Sequence, residues 1–415
     1  MKRNLCIFLV LACTCVQAVP SVQVVGFRQR WPWNGLVDVD YIVSGVERPG
    51  DFELSLTVSA TVGSQPTNIT ARSFVNALAF DLPTHDGTHR ITWDAAKDGA
   101  KFLADDAKAR IELRYNPYSG DDADYMIVDL SPGAEAPSYP VRWVKKGTAG
   151  SAAFNLDCYK TTKLVLKRVP KGVFLVGVNG ISSLTTEMAL PARWVELTSD
   201  FFAGLFEVTQ RQYELVCGVN PSRFSSGADS PMRPVENVSW NALCAADGFI
   251  ARIKTRAQYA GAAMSGFNLP TEAQWERAAH GVAGARSHLD GNKGAAASLG
   301  EYAWIGANSG GETHVVGTTT KNQGYGWYDI QGNVGELCLD DRDAAGFVVT
   351  PKESPDVNPC KGFTSGYMVY KGGGYSATNL PEIRMDRRLF VHHNTGFGSV
   401  GFRLFYTCPE TKEEE

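Results

Sequence analysis

At 415 residues, with 44% hydrophobic and 20% charged side chains, the chain can bury more than one core and has the make-up of a folded globular protein. A formal net charge of −4 without a basic stripe argues against a nucleic-acid partner. After the N-terminus no segment is long and apolar enough to act as a transmembrane helix.

The chain opens with Lys2 and Arg3, an apolar run over 5–16, and Val16-Gln17-Ala18. Those are the charged region, the apolar region and the small-residue cleavage site of a signal peptide spanning 1–18. The expectation is an exported protein, secreted, periplasmic or at the cell surface. Val10-Leu11-Ala12-Cys13 matches a lipoprotein box only loosely, because Leu11 is atypical, so anchoring at Cys13 is not the favoured reading. Six cysteines remain after residue 18: Cys158, Cys217, Cys244, Cys338, Cys360 and Cys408. In an exported chain an even set permits disulfides, with the pairing left open; Cys158 and Cys408 bracket the second domain and could tie its ends.

Residues 20–115 read as all-β. Runs rich in β-branched and aromatic residues at 22–27, 36–43, 52–62, 73–80, 89–93 and 109–115 are separated by turn clusters such as Arg48-Pro49-Gly50-Asp51 and His85-Asp86-Gly87. This spacing predicts a sandwich of immunoglobulin or fibronectin type, serving as a spacer or interaction module. Residues 116–157 carry Pro, Gly and Ser clusters and read as a linker. A second domain is expected over 158–408, followed by an acidic tail at 409–415.

That second domain mixes signals. Two strand-like runs flank Pro170-Lys171-Gly172 within 163–176. Apolar residues at helical spacing predict helices over 207–216, 240–255 and 271–280. For the third, Thr271 as N-cap and Gln274 three residues on form a capping box. Beyond His280 the chain is loop-rich to Phe405. Helices beside long ordered loops make an α+β domain.

The stretch 325–341, YGWYDIQGNVGELCLDD, is the densest in turn-formers and oxygen ligands. Gly326, Gly332 and Gly335 permit positive φ, while Asp329, Asn333 and Glu336 bring oxygens together. Local chemistry fits either a hard cation such as calcium or a glycine-rich turn whose polar groups cap one another.

Six stretches in order carry a resemblance: FEVTQRQYELVCGVNPSRF at 206–224, RPVENVSWNAL at 233–243, LPTEAQWERAAHG at 269–281, YGWYDIQGNVGELCLD at 325–340, YKGGGYSATN at 370–379 and VGFRLF at 400–405. Together they resemble the formylglycine-generating enzyme (sulfatase-modifying factor) family, which implies an irregular relative of the C-type lectin fold over about 158–408. The resemblance also implies a structural calcium on Asp329 and Glu336 through side chains and on Gly332 and Val334 through carbonyls. Gly335 and Leu337 stand where the family has two tryptophans. A second calcium site known in the family is not expected at the short 308–311 loop.

The family's oxidase chemistry uses two cysteines that bind copper(I). Counted from Lys371-Gly372-Gly373, those positions hold Ala377 and Glu382, the motif's serine is Gly374, and no cysteine lies between Lys361 and Thr407. Soft copper(I) needs thiolates, so no copper and no catalytic residue is expected. The region 375–397 instead offers Tyr375, Asn379, Glu382, Arg384, Arg387, His392 and His393 as a cleft for a sugar or peptide ligand. Arg384 and Arg387 could equally make structural ion pairs, and Arg403 is expected to anchor the terminal strand. The leading expectation is a non-catalytic binding protein. The alternative is an oxidoreductase-like enzyme using altered chemistry in the same cleft, with a metal on Glu382, His392 or His393.

Overall fold

The computed structural model describes residues 20–409 apart from 32–33, 49–50, 63, 101–105, 117, 146–150, 178–190, 260, 282–299, 320–325, 344–348 and 379. The expected signal peptide with Cys13, and the acidic residues beyond 409, lie outside the described residues, as does Asn379. The chain divides into two compact units, one of residues 1–75 and 81–114, the other of 76–80 and 115–415. Among the described residues no helix is long and apolar enough to cross a membrane.

The first unit is built of antiparallel strands, as its runs of β-branched and aromatic residues between turn clusters predict. Strands Ser21–Gln29, Leu36–Ser44 and Gly87–Asp94 pair side by side, with Ser73–Phe74 on Gly87–Asp94. Phe52–Val62 is flanked by Gln65–Thr70 and Lys108–Tyr115 in a second sheet. Period-2 patterning sets which side chains are inside: Val37, Val39, Tyr41 and Val43 on one sheet and Leu54, Leu56, Val58 and Ala60 on the other are buried. His85 and His89 meet edge-on at 4.4 Å, with His89 Nε2 on the His85 carbonyl, so the turn uses them locally.

In the second unit the expected linker is instead load-carrying sheet. Tyr125–Asp129 and Tyr139–Val144 sit within an eight-stranded sheet, pairing antiparallel with each other, and Tyr125–Asp129 pairs on its other side with Lys163–Val169. Four of the five side chains in Tyr125–Asp129 are buried, so YMIVD reads as a two-sided core strand. The turn residues on either side masked it. Phe201–Gly204 and Phe405–Thr407 continue the sheet, joining the two ends of the domain by strand pairing. All six cysteines after residue 18 are free thiols, which corrects the expected disulfides, including a Cys158–Cys408 tie.

The two runs around Pro170 are strands Lys163–Val169 and Gly172–Val176. Helix Gln210–Cys217 starts one turn later than its periodicity suggests, because Thr209 caps it with Gln212 in a capping box. The predicted 240–255 helix is two: Trp240–Cys244 and Phe249–Arg256. The break is Gly248, where a Cβ would lie 2.4 Å from the Ala242 carbonyl. Helix Glu272–His280 carries the Thr271/Gln274 capping box read from the sequence.

Helix Glu272–His280 is the hub that positions the rest. Buried Glu272, Trp275 and Glu276 face a four-stranded sheet ordered Leu389–His392, Tyr367–Lys371, Gly335–Asp341, Val400–Gly401. Lys371 Nζ reaches Glu276 at 2.7 Å and Glu272 at 3.3 Å, and Arg388 Nε holds both oxygens of Glu272 at 3.0 Å. His280 closes the helix, buried, with neither ring nitrogen hydrogen-bonded, and burial holds its pKa below the usual value.

Candidate ligand cleft and the Asp329–Glu336 loop

The loop between residue 326 and strand Gly335–Asp341 curls through four positive-φ residues: Gly326 and Gly332, but also Asp329 and Asn333, each at φ 54°. Short polar side chains tolerate the left-handed region, so the turn needs fewer glycines than the sequence offers. Gly335, expected among the positive-φ residues, is not; it is extended, and its hydrogen atom faces the Tyr370 ring, where a Cβ would sit 2.4 Å from Cδ2. Tyr370 therefore fills space beside the position where the family carries a tryptophan.

Inside the loop, Asn333 Nδ2 donates to Glu207 Oε2 at 2.7 Å and Val334 N to Glu207 Oε1 at 2.9 Å. Burial, then the charges of Asp329 and Glu336, push the Glu207 carboxyl well above its usual range. Asp329 accepts the Gly317 N–H at 2.6 Å on Oδ2, while Oδ1 is buried without a hydrogen-bond partner. Burial raises its carboxyl to about 6 against the pull of the Gly317 N–H, Arg403 and Lys160. Glu207 and Lys160 were not singled out from the sequence. A lone carboxylate in the apolar run LFEV was the available signal for Glu207.

Glu336 faces elsewhere. Arg403 donates Nη2 to Glu336 Oε1 at 2.6 Å and Nε to both oxygens at 3.0 and 3.1 Å, and Trp275 Nε1 donates to Oε2 at 2.6 Å. Arg403 also donates to the Gly204 and Tyr328 carbonyls, which gives it the anchoring role expected. Asp329 thus fits a hard cation through its open oxygen, whereas Glu336 fits only by releasing Arg403. Among the described residues no three His, Cys, Asp or Glu side chains are grouped to hold a metal.

The cleft residues fall into two groups. Ala377 lies in a small apolar cluster with Ala303, Ile305 and Ile383, and the Glu382 carboxylate accepts the Thr378 N–H at 3.1 Å. Arg384 Nε pairs with Asp386 at 2.8 Å, the structural ion pair that its spacing left open. Arg387 N bonds the Arg384 carbonyl in the same turn. Tyr375 is buried and stands edge-on to Phe224 at 5.3 Å.

His392 and His393 do not point to opposite faces as an extended pair would. Strand Leu389–His392 ends there, and the rings lie 4.5 Å apart. They join a run of ring contacts: Trp240 stacked with Phe363 at 6.1 Å, Phe363 edge-on to His393 at 4.9 Å, and His392 edge-on to Tyr367 at 5.4 Å. Phe363 is 52% and Tyr367 40% exposed, so part of this run faces water. His314 stacks on Trp304 at 3.8 Å and places Nε2 on the Ser309 carbonyl. A pocket of about 230 Å³ whose lining includes Leu197, Thr198, Thr271, Gln274, Asn358 and Cys408 contains none of the cleft residues.

Comparison with known proteins agrees with the motif reading. The Chaperone protein LppX of Paenibacillus barcinonensis is 29% identical over 250 residues, covering 50% of this chain and 81% of that protein. A formylglycine-generating enzyme of Thermomonospora curvata is 32% identical over 161 residues, 36% of this chain and 47% of the enzyme. Among solved structures, Treponema denticola variable protein 1 is similar at 27% identity and TM-score 0.47, over 59% of this chain and 95% of that one. PvdO from Pseudomonas aeruginosa is similar at 20% identity and TM-score 0.46, over 59% and 94%. Residues 157–407, more than half of the chain, match the sulfatase-modifying factor enzyme 1-like domain, and the chain belongs to that family.

Proposed function

We propose that this chain is an exported, non-catalytic binding protein whose sulfatase-modifying-factor-type domain holds a sugar or peptide ligand. The observation that carries the reading is what stands at the two copper-thiolate positions. One is the Ala377 methyl in an apolar cluster, and the other is the Glu382 carboxylate tied to a backbone N–H. Neither is a soft donor, and a methyl offers no lone pair at all. The aromatic run from Trp240 to Tyr367 supports ligand contact, since half-exposed rings offer apolar faces at low entropic cost. The relative from Paenibacillus barcinonensis is named as a chaperone, a word for binding rather than turnover. The N-terminal strands would then act as a spacer or interaction module of sandwich type.

Structural calcium belongs to the same proposal, with Asp329 as its first ligand through Oδ1. The test is direct. Mature protein is incubated with a cysteine-containing sulfatase peptide and copper(I), and separately screened on glycan and peptide arrays. Array binding without conversion of the cysteine supports the reading; formylglycine detected by mass overturns it.

A further inference from the structure

Strands Arg193–Leu197, Asp356–Val357 and Phe405–Thr407 end around the N-terminus of helix Glu272–His280, where a pocket of about 230 Å³ opens to solvent. That is several times the roughly 30 Å³ that one water takes in the liquid, so the pocket has room for a small molecule. Its wall carries the hydroxyls of Thr198, Ser199, Thr271 and Thr407 and the carboxamides of Gln274 and Asn358, with Leu197 and the free thiol of Cys408 beside them. None of the lining residues is charged.

The scaffold fixes both carboxamides. Gln274 Oε1 accepts the Thr271 N–H at 3.0 Å, and its Nε2 donates to the Thr407 hydroxyl at 2.9 Å. Asn358 Oδ1 accepts the Thr198 N–H at 3.1 Å, and its Nδ2 donates to the Thr198 hydroxyl at 2.8 Å. A carboxamide nitrogen has two protons and each of these uses one, so both keep an N–H to offer. Among the described residues the Thr271 and Thr407 hydroxyls act only as acceptors, and Ser199 makes no hydrogen bond. The wall therefore keeps unused amide and hydroxyl donors on residues held by strand ends and a helix cap.

We propose that this pocket binds a single neutral sugar ring. The site shares no residue with the cleft or the aromatic run, so it goes beyond the binding-protein reading and stands or falls separately from it. Sugar oxygens accept from the Gln274 and Asn358 N–H groups and from the Ser199 hydroxyl, and sugar hydroxyls donate back to the Ser199 and Thr407 oxygens. An anion is a poorer match. No lysine or arginine lines the pocket, and at the helix N-terminus the Asp340 carboxylate already takes the Glu272 N–H at 2.6 Å. A lipid or an apolar peptide side chain would meet one aliphatic wall, Leu197, and no aromatic ring.

Cys408 supplies an internal reporter: a ligand in the pocket covers its thiol, while Cys360, exposed and outside the pocket, is the control. The purified chain is titrated with a panel of methyl pyranosides, with inorganic phosphate and with N-acetyl dipeptide amides. Alkylation of each cysteine by iodoacetamide is followed by peptide mass mapping. The expected result is a pyranoside that slows alkylation of Cys408 several-fold and leaves Cys360 unchanged. By calorimetry its affinity should fall at least about tenfold with Ser199→Leu, which fills the pocket, and about threefold with Ser199→Ala, which removes one hydrogen bond. Thermal melting checks the fold, and Ser199→Ala carries the test if the leucine variant unfolds. Pyranoside binding that leaves Cys408 unprotected, or survives both variants unchanged, overturns this site and leaves the binding-protein reading standing. Protection of Cys408 by phosphate or a peptide amide and by no pyranoside overturns it, as does protection by none of the probes.

Discussion

Glu336 and Arg403, 67 residues apart, meet in a fully buried ion pair, with Arg403 Nη2 2.6 Å from Glu336 Oε1 and side-chain exposures of 1% and 0%. It locks the start of strand Gly335–Asp341 to the C-terminal strands. Removing one partner of such a pair leaves an uncompensated charge, at about 3–5 kcal/mol. Arg403→Met should therefore lower the melting temperature by roughly 10 °C. Glu336→Gln with Arg403→Met should recover part of that. A double variant as unstable as the sum of the singles would mean that the pair is not coupled.

Gly335 and Tyr370 predict a second coupling. A Cβ on residue 335 would meet the Tyr370 ring at 2.4 Å, so Gly335→Ala overpacks the site at about 1–3 kcal/mol. Tyr370→Ala alone opens a cavity. Combined, the two should cost less than their sum, by about 0.5 kcal/mol or more in denaturant titrations. Strict additivity would show that the ring moves aside freely.

Asp341 gives the pH prediction. Burial raises its carboxyl, but the N–H groups of Asp343, Thr364 and Ser365 and the Ser365 hydroxyl outweigh that and bring it to about 2. The folded value lies below the ordinary 3.8, so the stabilisation is present above about pH 4 and is lost as pH falls toward 2. Asp341→Asn should be less stable than wild type near neutrality, and the gap should close through that window. A gap that stays constant down to pH 2 would show that ionisation of Asp341 is irrelevant.

Local chemistry was legible in the sequence, and long-range pairing was not. The capping box at Thr271 and Gln274 spans one turn, so its donors and acceptors can be read directly. The first unit's strands were legible from runs of β-branched and aromatic residues between turn clusters, and the family from ordered motifs. Strands Tyr125–Asp129 and Tyr139–Val144 were hidden by the turn residues beside them, and their place at the centre of a sheet depends on distant partners, such as Lys163 on Asp129 and Ala257 on Tyr139. The cleft was mixed. Arg384 was recognised as a possible ion-pair residue, but Glu207 stands in an apolar run, and nothing in its neighbours says that Asn333 and Val334 will meet its carboxylate.

Calcium is tested through Asp329. If the ion binds with a dissociation constant of about 10 µM, 1 mM calcium adds about 2.7 kcal/mol. That should raise the melting temperature by roughly 5–10 °C, and Asp329→Asn should abolish the rise. No rise in wild type up to about 10 mM calcium would remove the ion from the proposal and leave Asp329 Oδ1 to a proton.

Arg384 and Phe363 separate structure from recognition in the cleft. Arg384 holds Asp386, whose side chain is 3% exposed, so Arg384→Ala strips a nearly buried carboxylate of its guanidinium. The loss should appear as stability, about 2–4 kcal/mol, with any binding defect following from unfolding. Phe363 is half exposed and meets Trp240 and His393 through its ring, so Phe363→Ala should cost under about 1 kcal/mol of stability. If the aromatic run is a ligand platform, the same change should weaken glycan or peptide binding several-fold at unchanged melting temperature. Binding that survives Phe363→Ala and Tyr367→Ala together would move the ligand contact off this face.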